Sequence, residues 1–304
     1  MAKIHYHKAL RSKDDVIVDA VVLVLTLLVC VLVLYPLVYV LSSSFSDPSE
    51  VAAGNVVLFP KGFTLEGYSY ILDYGEIWSG YRNTLFYTIV GTMLNLAATI
   101  PAAYALSRRD MYGRNLFTIL FSITMFFSGG LIPTYLVYKQ LNMLNTVWIM
   151  LIPGLVSMWN TGVCRTYFQN SIPYELQEAS KIDGCSDFIL FFKNILPLSA
   201  PIIAVMAMYY AVGHWNSYFN AMIYLRDTAL YPLQLVLRSI LLLDTTAEMI
   251  GADAEAQREL LRLQQLKESM KYGVIVISAL PMLVIYPFFQ KYFVKGVMVG
   301  AIKG

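Results

Sequence analysis

Long unbroken apolar runs dominate this sequence, and few stretches alternate between apolar and polar positions. A helix needs about 20 mostly apolar residues to cross the hydrocarbon layer of a bilayer. Six segments meet that length: Val16–Leu41, Thr84–Leu106, Leu116–Tyr138, Val147–Tyr167, Ile195–Tyr218 and Tyr272–Phe293. They predict an all-α polytopic membrane protein with six transmembrane helices. The first run is much longer than the roughly 7–15 apolar residues of a signal-peptide core, and no small-x-small cleavage site follows it. It therefore reads as a permanent span.

Composition agrees. Of 304 residues, 58% are hydrophobic and 14% charged, against about 45–50% and 25% in soluble domains. The mean hydropathy is +0.59. Such an excess cannot be hidden in one globular core, which excludes an ordinary soluble enzyme and a disordered chain. The net charge of +2 gives no footing for a nucleic-acid binder. Cys30, Cys164 and Cys185 offer no disulfide framework and read as free thiols. With the N-terminus placed inside, thirteen of the 22 Lys and Arg residues fall in inner segments, as the positive-inside rule requires. Seven acidic residues lie inside and twelve outside, with Asp19 in the first span. Both termini are thus expected in the cytoplasm, as tails at 1–15 and 295–304 around a transmembrane body at 16–294.

The loops differ in character. The first outer loop, Ser42 to Asn83, carries Pro48, Pro60, Gly54, Gly62 and Gly67 and predicts an irregular fold. The second, Gln140 to Thr146, is short. The third, residues 220–271, contains an amphipathic stretch, Ala247–Met270, with Leu260, Leu263, Leu266 and Met270 at helical spacing. That helix either lies on the headgroups or receives a partner.

The inner loop 168–194 carries the most information. Pro173 suits the first position of a helix, and Glu175 and Glu178 sit in its early turns near the positive end of the dipole. Gly184 is placed to end that helix in a left-handed conformation. Ser186 can cap a second short helix through Lys193, and Pro197 stands where the chain re-enters the membrane. Leu176, Ala179 and Ile182 form a narrow apolar edge, and small Ala179 and Ser180 would let another surface approach closely.

Glu178-Ala179-Ser180, Ile182-Asp183-Gly184 and Ile195-Leu196-Pro197 resemble the EAA signature of ABC-importer permeases. Ser180 replaces the second Ala of that signature, and the Ile stands one residue closer to Pro197. Arg82-Asn83-Thr84-Leu85 and Ala103-Tyr104-Ala105-Leu106-Ser107-Arg108 are similar to the second span of maltose-type permeases. Gln290-Lys291-Tyr292-Phe293-Val294-Lys295-Gly296 and the final Gly300-Ala301-Ile302-Lys303-Gly304 resemble the C-terminus of their MalG-like carbohydrate subunits. The resemblance implies a type I ABC-importer permease fold and a pathway shared with a second permease subunit. It also implies two cytoplasmic ATPases, which hold ATP and Mg, and an extracytoplasmic binding protein that delivers sugar. Glu175, Glu178, Ala179, Ser180, Asp183, Gly184 and Pro197 would make up the ATPase-coupling loop, and Gly300, Lys303 and Gly304 a C-terminal ATPase contact. The absence of G-x-x-x-x-G-K-[ST] fits that division of labour, because this chain has no loop of its own to cradle ATP phosphates. No cofactor and no metal site is expected, since His5 and His7 lie in the tail and His214 stands alone.

Polar groups inside spans are costly and so mark candidate function. His214, Trp215, Asn216, Tyr218 and Asn220 crowd the outer part of the fifth span, with Asn95 in the second and Asn160 in the fourth. Rings and amides together suit a sugar. The same residues also suit an interfacial belt or helix packing. In maltose-type systems the partner subunit holds much of the sugar, and the long third outer loop resembles the branch that handles oligo- and polysaccharide fragments. A secondary transporter would need paired ionisable residues at mid-membrane and internal repeats, of which the sequence shows neither. A membrane-embedded enzyme would need catalytic groups converging at one depth, and none do. A permease for a non-sugar solute is the nearer alternative, against which the C-terminal run favours sugars.

Overall fold

The computed structural model describes residues 13–242, 270–288 and 290. The N-terminal tail up to residue 12, the amphipathic stretch 247–269, Lys291, Lys295, Gly300, Lys303 and Gly304 lie outside the described residues. The chain divides into two compact units: Met1–Ile71 with Asp244–Val276, and Leu72–Leu243 with Ile277–Gly304. Among the described residues every regular element is helical.

In the first unit, α1 (Lys13–Ser44) is apolar on all sides and exposed along nearly its whole length. A helix of that kind has no core-facing stripe and is suited to lipid. Its last turn is different. Ser42, Ser43, Ser44 and Ser46 are buried, and Phe45 packs between Phe63 and Tyr68 at ring distances of 5.8 and 5.2 Å. The Ser42 hydroxyl donates to the Leu58 carbonyl at 2.6 Å, and Tyr68 donates to Ser44 Oγ at 2.9 Å. Asp47 caps the short α2 (Pro48–Ala52) by accepting from the Ser49 N–H at 2.8 Å. The Ser49 hydroxyl donates to the same carboxylate, and this bond first, then the N–H, holds the Asp47 carboxyl below the usual carboxylate range. The loop that follows α1 is thus irregular in path but tightly bonded, with α3 (Glu66–Asp73) after it.

The second unit is organised by α4 (Gly75–Ser107), an unbroken helix of 33 residues. Thr84, Thr88, Gly91, Asn95, Thr99 and Ala103 form a buried stripe at spacings of three and four. Small and polar residues dominate it because membrane helices gain no hydrophobic drive against each other and associate through close backbone approach and hydrogen bonds. Against α4 pack α8 (Met158–Ser171), α11 (Ala200–Trp215) and α13 (Leu233–Leu242). One apolar cluster gathers at the C-terminal half of α4 around Tyr104, Phe168, Phe191, Ile195 and Met206. Another gathers at its N-terminal half around Tyr87, Ile149, Tyr224 and Leu235.

Several predicted spans are broken. Leu116–Tyr138 is realised as α5 (Arg114–Phe126) and α6 (Leu131–Gln140), which turn through 117° at a Ser-Gly-Gly segment. Val147–Tyr167 is realised as a four-residue α7 (Trp148–Leu151) and then α8, parted at Pro153-Gly154. The inner-loop helix α10 (Asp187–Leu198) contains a π-helical turn at Leu190–Ile195 and meets α11 at 78°. Among the described residues, three helices are long and apolar enough to span, Asp14–Ser44, Gly75–Ser107 and α14 (Met270–Phe288), or up to five if each bent pair counts as one span.

Near α6, the short loop at 140–146 is locked by Asn142 and Asn145, both left-handed. Asn145 Oδ1 accepts the N–H groups of Arg226 and Asp227, each at 2.9 Å, just beyond α12 (Phe219–Tyr224).

Candidate functional site

The loop 168–194 forms two helical arms around a glycine turn. The first arm, α9, runs Tyr174–Ile182, with Pro173 one residue earlier than expected, at the cap instead of the first helical position. At its end the Cys185 N–H bonds the Ser180 carbonyl at 2.9 Å and the Gly184 N–H bonds Lys181 at 3.1 Å. Together with Gly184 at φ +69° this is a Schellman turn. Ser186 then caps α10 by accepting from the Ile189 N–H.

The arm has two unlike faces. Gln177 and Ser180 are buried, and Leu176 and Cys185 pack on the cluster around Tyr104 and Phe191. Ser180 therefore faces the body of the chain, its hydroxyl donating to the Leu176 carbonyl at 2.8 Å, and is not on the outer edge where the sequence placed it. Glu175, Glu178, Ala179 and Asp183 are exposed, as is Pro197 in α10. Beside them Ile182 is 86% and Phe188 78% exposed. Two large apolar side chains standing clear on so short a loop make a surface suited to a partner.

Beneath the loop is an ion network that sequence reasoning missed. Arg108, the residue following α4, is almost fully buried. Its Nε and Nη2 donate to the two oxygens of Asp110 at 2.8 and 2.6 Å, and Nη1 donates to Asp187 at 2.6 Å. Lys181 of α9 donates to Asp110 at 2.7 Å. The guanidinium lies 5.8 Å from the Tyr104 ring, and that of Arg109 5.0 Å from Tyr174. Hydrogen bonds from Arg108, then from Lys181, hold the Asp110 carboxyl well below the usual carboxylate range. Asp110 in turn raises the affinity of Arg108 and Lys181 for their protons. The sequence signal was the charge run Arg108-Arg109-Asp110 directly after an apolar span, but its partners at 181 and 187 are distant in sequence.

The structure divides the seven pathway candidates. Asn95 is 2% exposed. Its amide donates to the carbonyls of Gly154 at 3.3 Å and Leu155 at 2.9 Å, which the break between α7 and α8 leaves free. Asn95 Oδ1 meets His214 Nε2 at 2.7 Å. Trp215 is buried, donates to the Ser278 carbonyl at 3.0 Å and packs edge-on to Tyr81. These three spend their polar atoms within the chain. Asn160 and Asn220 are half-buried, Asn216 is exposed with its amide on the Val212 carbonyl, and Tyr218 is exposed with Arg238 over its ring at 5.2 Å.

Residues 77–299 match the family described as the binding-protein-dependent transport system inner membrane component, and the chain belongs to that family. Among its relatives is Protein LplC of Bacillus subtilis (strain 168), 40% identical over 88% of this chain and 89% of that protein. Another is the polygalacturonan/rhamnogalacturonan transport system permease protein YtcP of the same organism, 38% identical over 91% and 94% of the two chains. A crystal structure of a bacterial ABC transporter involved in import of the acidic polysaccharide alginate aligns with a TM-score of 0.83 at 32% identity, covering 94% of this chain and all of that one. The family resemblance is thereby upheld over most of the sequence.

Two outcomes follow from this geometry. A Cβ at Gly91 would lie 2.5 Å from the His214 ring, so Gly91→Ala should displace the ring from Asn95 and cost about 1–3 kcal/mol. The check is the apparent melting temperature in detergent, with Gly91→Ala and His214→Ala less than additive when combined. For Asp110 the folded-state value is lowered, so its stabilisation is present above the ordinary carboxylate value and lost as pH falls toward the folded one. Asp110→Asn should lower stability by about 1–2 kcal/mol after screening, constant between about pH 6 and 8 and narrowing below about pH 4.

Proposed function

We propose that the chain is the permease subunit of an ABC importer for an oligo- or polysaccharide fragment. Six spans would cross the cytoplasmic membrane: the three long helices, the two bent pairs, and α7 with α8. The last pair qualifies because Asn95 supplies the donors that the broken backbone lacks, and unsatisfied carbonyls are what hydrocarbon does not tolerate. Both termini would lie inside, consistent with the basic residues of the inner segments. A second permease subunit would complete the pathway, and two cytoplasmic ATPases holding ATP and Mg would drive it.

The observation that carries the reading is the two-faced α9 arm in a chain of this family. Its inner face is packed and its outer face offers Glu178, Ala179 and Ile182 beside Phe188. Such a surface is suited to a cleft on an ATPase, with Glu175, Glu178 and Asp183 supplying charged contacts and Gly184 the turn. The C-terminal Gly300, Lys303 and Gly304 would lie along the same ATPase. An extracytoplasmic binding protein would deliver the sugar. The relatives named for polygalacturonan and alginate support a polysaccharide-derived solute. Asn160, Asn216, Tyr218 and Asn220 keep accessible polar groups and are the better pathway candidates. Asn95, His214 and Trp215 serve packing in this reading.

Gly184→Val forces a β-branched residue into the left-handed region at a cost of about 1–2 kcal/mol. With Glu178→Ala it should cut uptake of fragments from polygalacturonan or alginate by about tenfold, at unchanged membrane levels. Co-purification of an ATPase with the native chain accompanies that result. A chain that purifies without any ATPase, and whose two variants take up solute normally, sinks the reading.

A further inference from the structure

Two routes lead from the coupling loop into the rest of its unit. The covalent route runs through α10 into α11, across a π-helical turn and a 78° bend. Such features interrupt the regular hydrogen-bond ladder and are places where a helix yields. The other route is Arg108. One guanidinium reaches Asp187, the first residue of α10, and Asp110, which holds Lys181 in the last turn of α9. It therefore ties both arms, on either side of the Gly184 turn, to the end of α4. Of the four charged side chains Arg108 is by far the most buried, at 10% exposed against 37% for Asp110, 52% for Lys181 and 69% for Asp187. A planar fork that serves two carboxylates at fixed angles cannot be replaced by a lysine without losing geometry.

The far end of α4 is anchored too. Asn83 donates to the carbonyls of Ala229 and Tyr231 at 2.7 and 3.0 Å, and Tyr87 to Leu230 at 2.9 Å. Thr84 Oγ1 accepts the Leu233 N–H at 2.8 Å. An unbroken helix of 33 residues, about 50 Å long, thus joins the coupling loop to the segment 228–233.

We propose that Arg108 is the positioning residue through which α4 follows the coupling loop, so that a displacement of α9 reaches the segment 228–233 along α4. The proposal rests on the coupling-loop reading above, but its clamp can be tested separately. The experiment places spin labels at Ile182→Cys and Thr228→Cys in the full chain, with Cys30, Cys164 and Cys185 replaced by Ala. Distances are measured in the chain alone, and then in its complex with the ATPases, first nucleotide-free and then with MgATP and vanadate. The expected result is one narrow distribution that is the same in all three states. With Arg108→Met the distribution broadens, and the two nucleotide states separate by more than about 2 Å. Arg108→Lys restores part of the effect, and Lys181→Met, which cuts the tie to α9 but leaves the one to α10, broadens the distribution less than Arg108→Met does. A loss of fold alone would not produce a nucleotide-dependent separation. Should Arg108→Met fail to assemble, Asp110→Ala with Asp187→Ala removes the same bonds and carries the test. Distributions in these variants that match the native one overturn the proposal. A label at Ile182 that stays fully mobile when ATPase is added overturns the coupling reading instead, while the broadening in the isolated chain still reports on the clamp.

Discussion

The second unit depends on one constraint: a polar group withdrawn from water inside a membrane protein must find its partner within the protein. Helix α4 meets that constraint for its neighbours as well as itself. A side-chain hydrogen bond between membrane helices adds only about 0.6 kcal/mol on average. An unsatisfied carbonyl in hydrocarbon costs several kcal/mol. The asymmetry explains why Asn83, Asn95 and Tyr87 all point at backbone carbonyls outside the α-helices. They make irregular backbone tolerable, and through it the turns that a bundle of straight rods could not supply.

The same economy appears at Gly91. Only a residue without a side chain lets His214 lie across α4 and reach Asn95, one turn further on. The stripe of small residues brings α11 close enough for His214 to bond Asn95 Oδ1, while the amide of the same Asn95 holds the break between α7 and α8. Packing and polar satisfaction are one arrangement here. At the end of α4 the logic changes to charge: Arg108, Asp110, Asp187 and Lys181 neutralise one another around a buried guanidinium. The packed face of the loop 168–194 is thereby fixed, which leaves its other face free to present Glu178, Ala179, Ile182 and Phe188.

Much of this was legible in the chain. The glycine turn at Gly184 and the cap at Ser186 follow from local backbone chemistry and are found as read. The run Val16–Leu41 is a single helix for the same reason. The third and fourth predicted spans were less legible. Hydropathy registers Ser128-Gly129-Gly130 and Pro153-Gly154 as brief dips in an apolar run, whereas the backbone turns there. Ser180 was misplaced because composition marks a small residue without saying which face of α9 it occupies. The partners of His214, Asn95 and Trp215 were not legible, because a lone polar residue in a span advertises need, not its partner.

The sequence by itself determined the helical class, the apolar lengths, the uneven spread of basic residues among the loops and the motif of the loop 168–194. These are set by local propensity, by hydropathy over windows of about 20 residues and by residue spacing. Only the tertiary structure decided which polar residues answer to one another. Asn95 finds His214 across 119 positions, Asn83 finds Tyr231 across 148, and Arg108 finds Asp187 across 79. Hydrogen bonds and ion pairs act over a few ångströms, so their identities exist only once distant segments have been brought together.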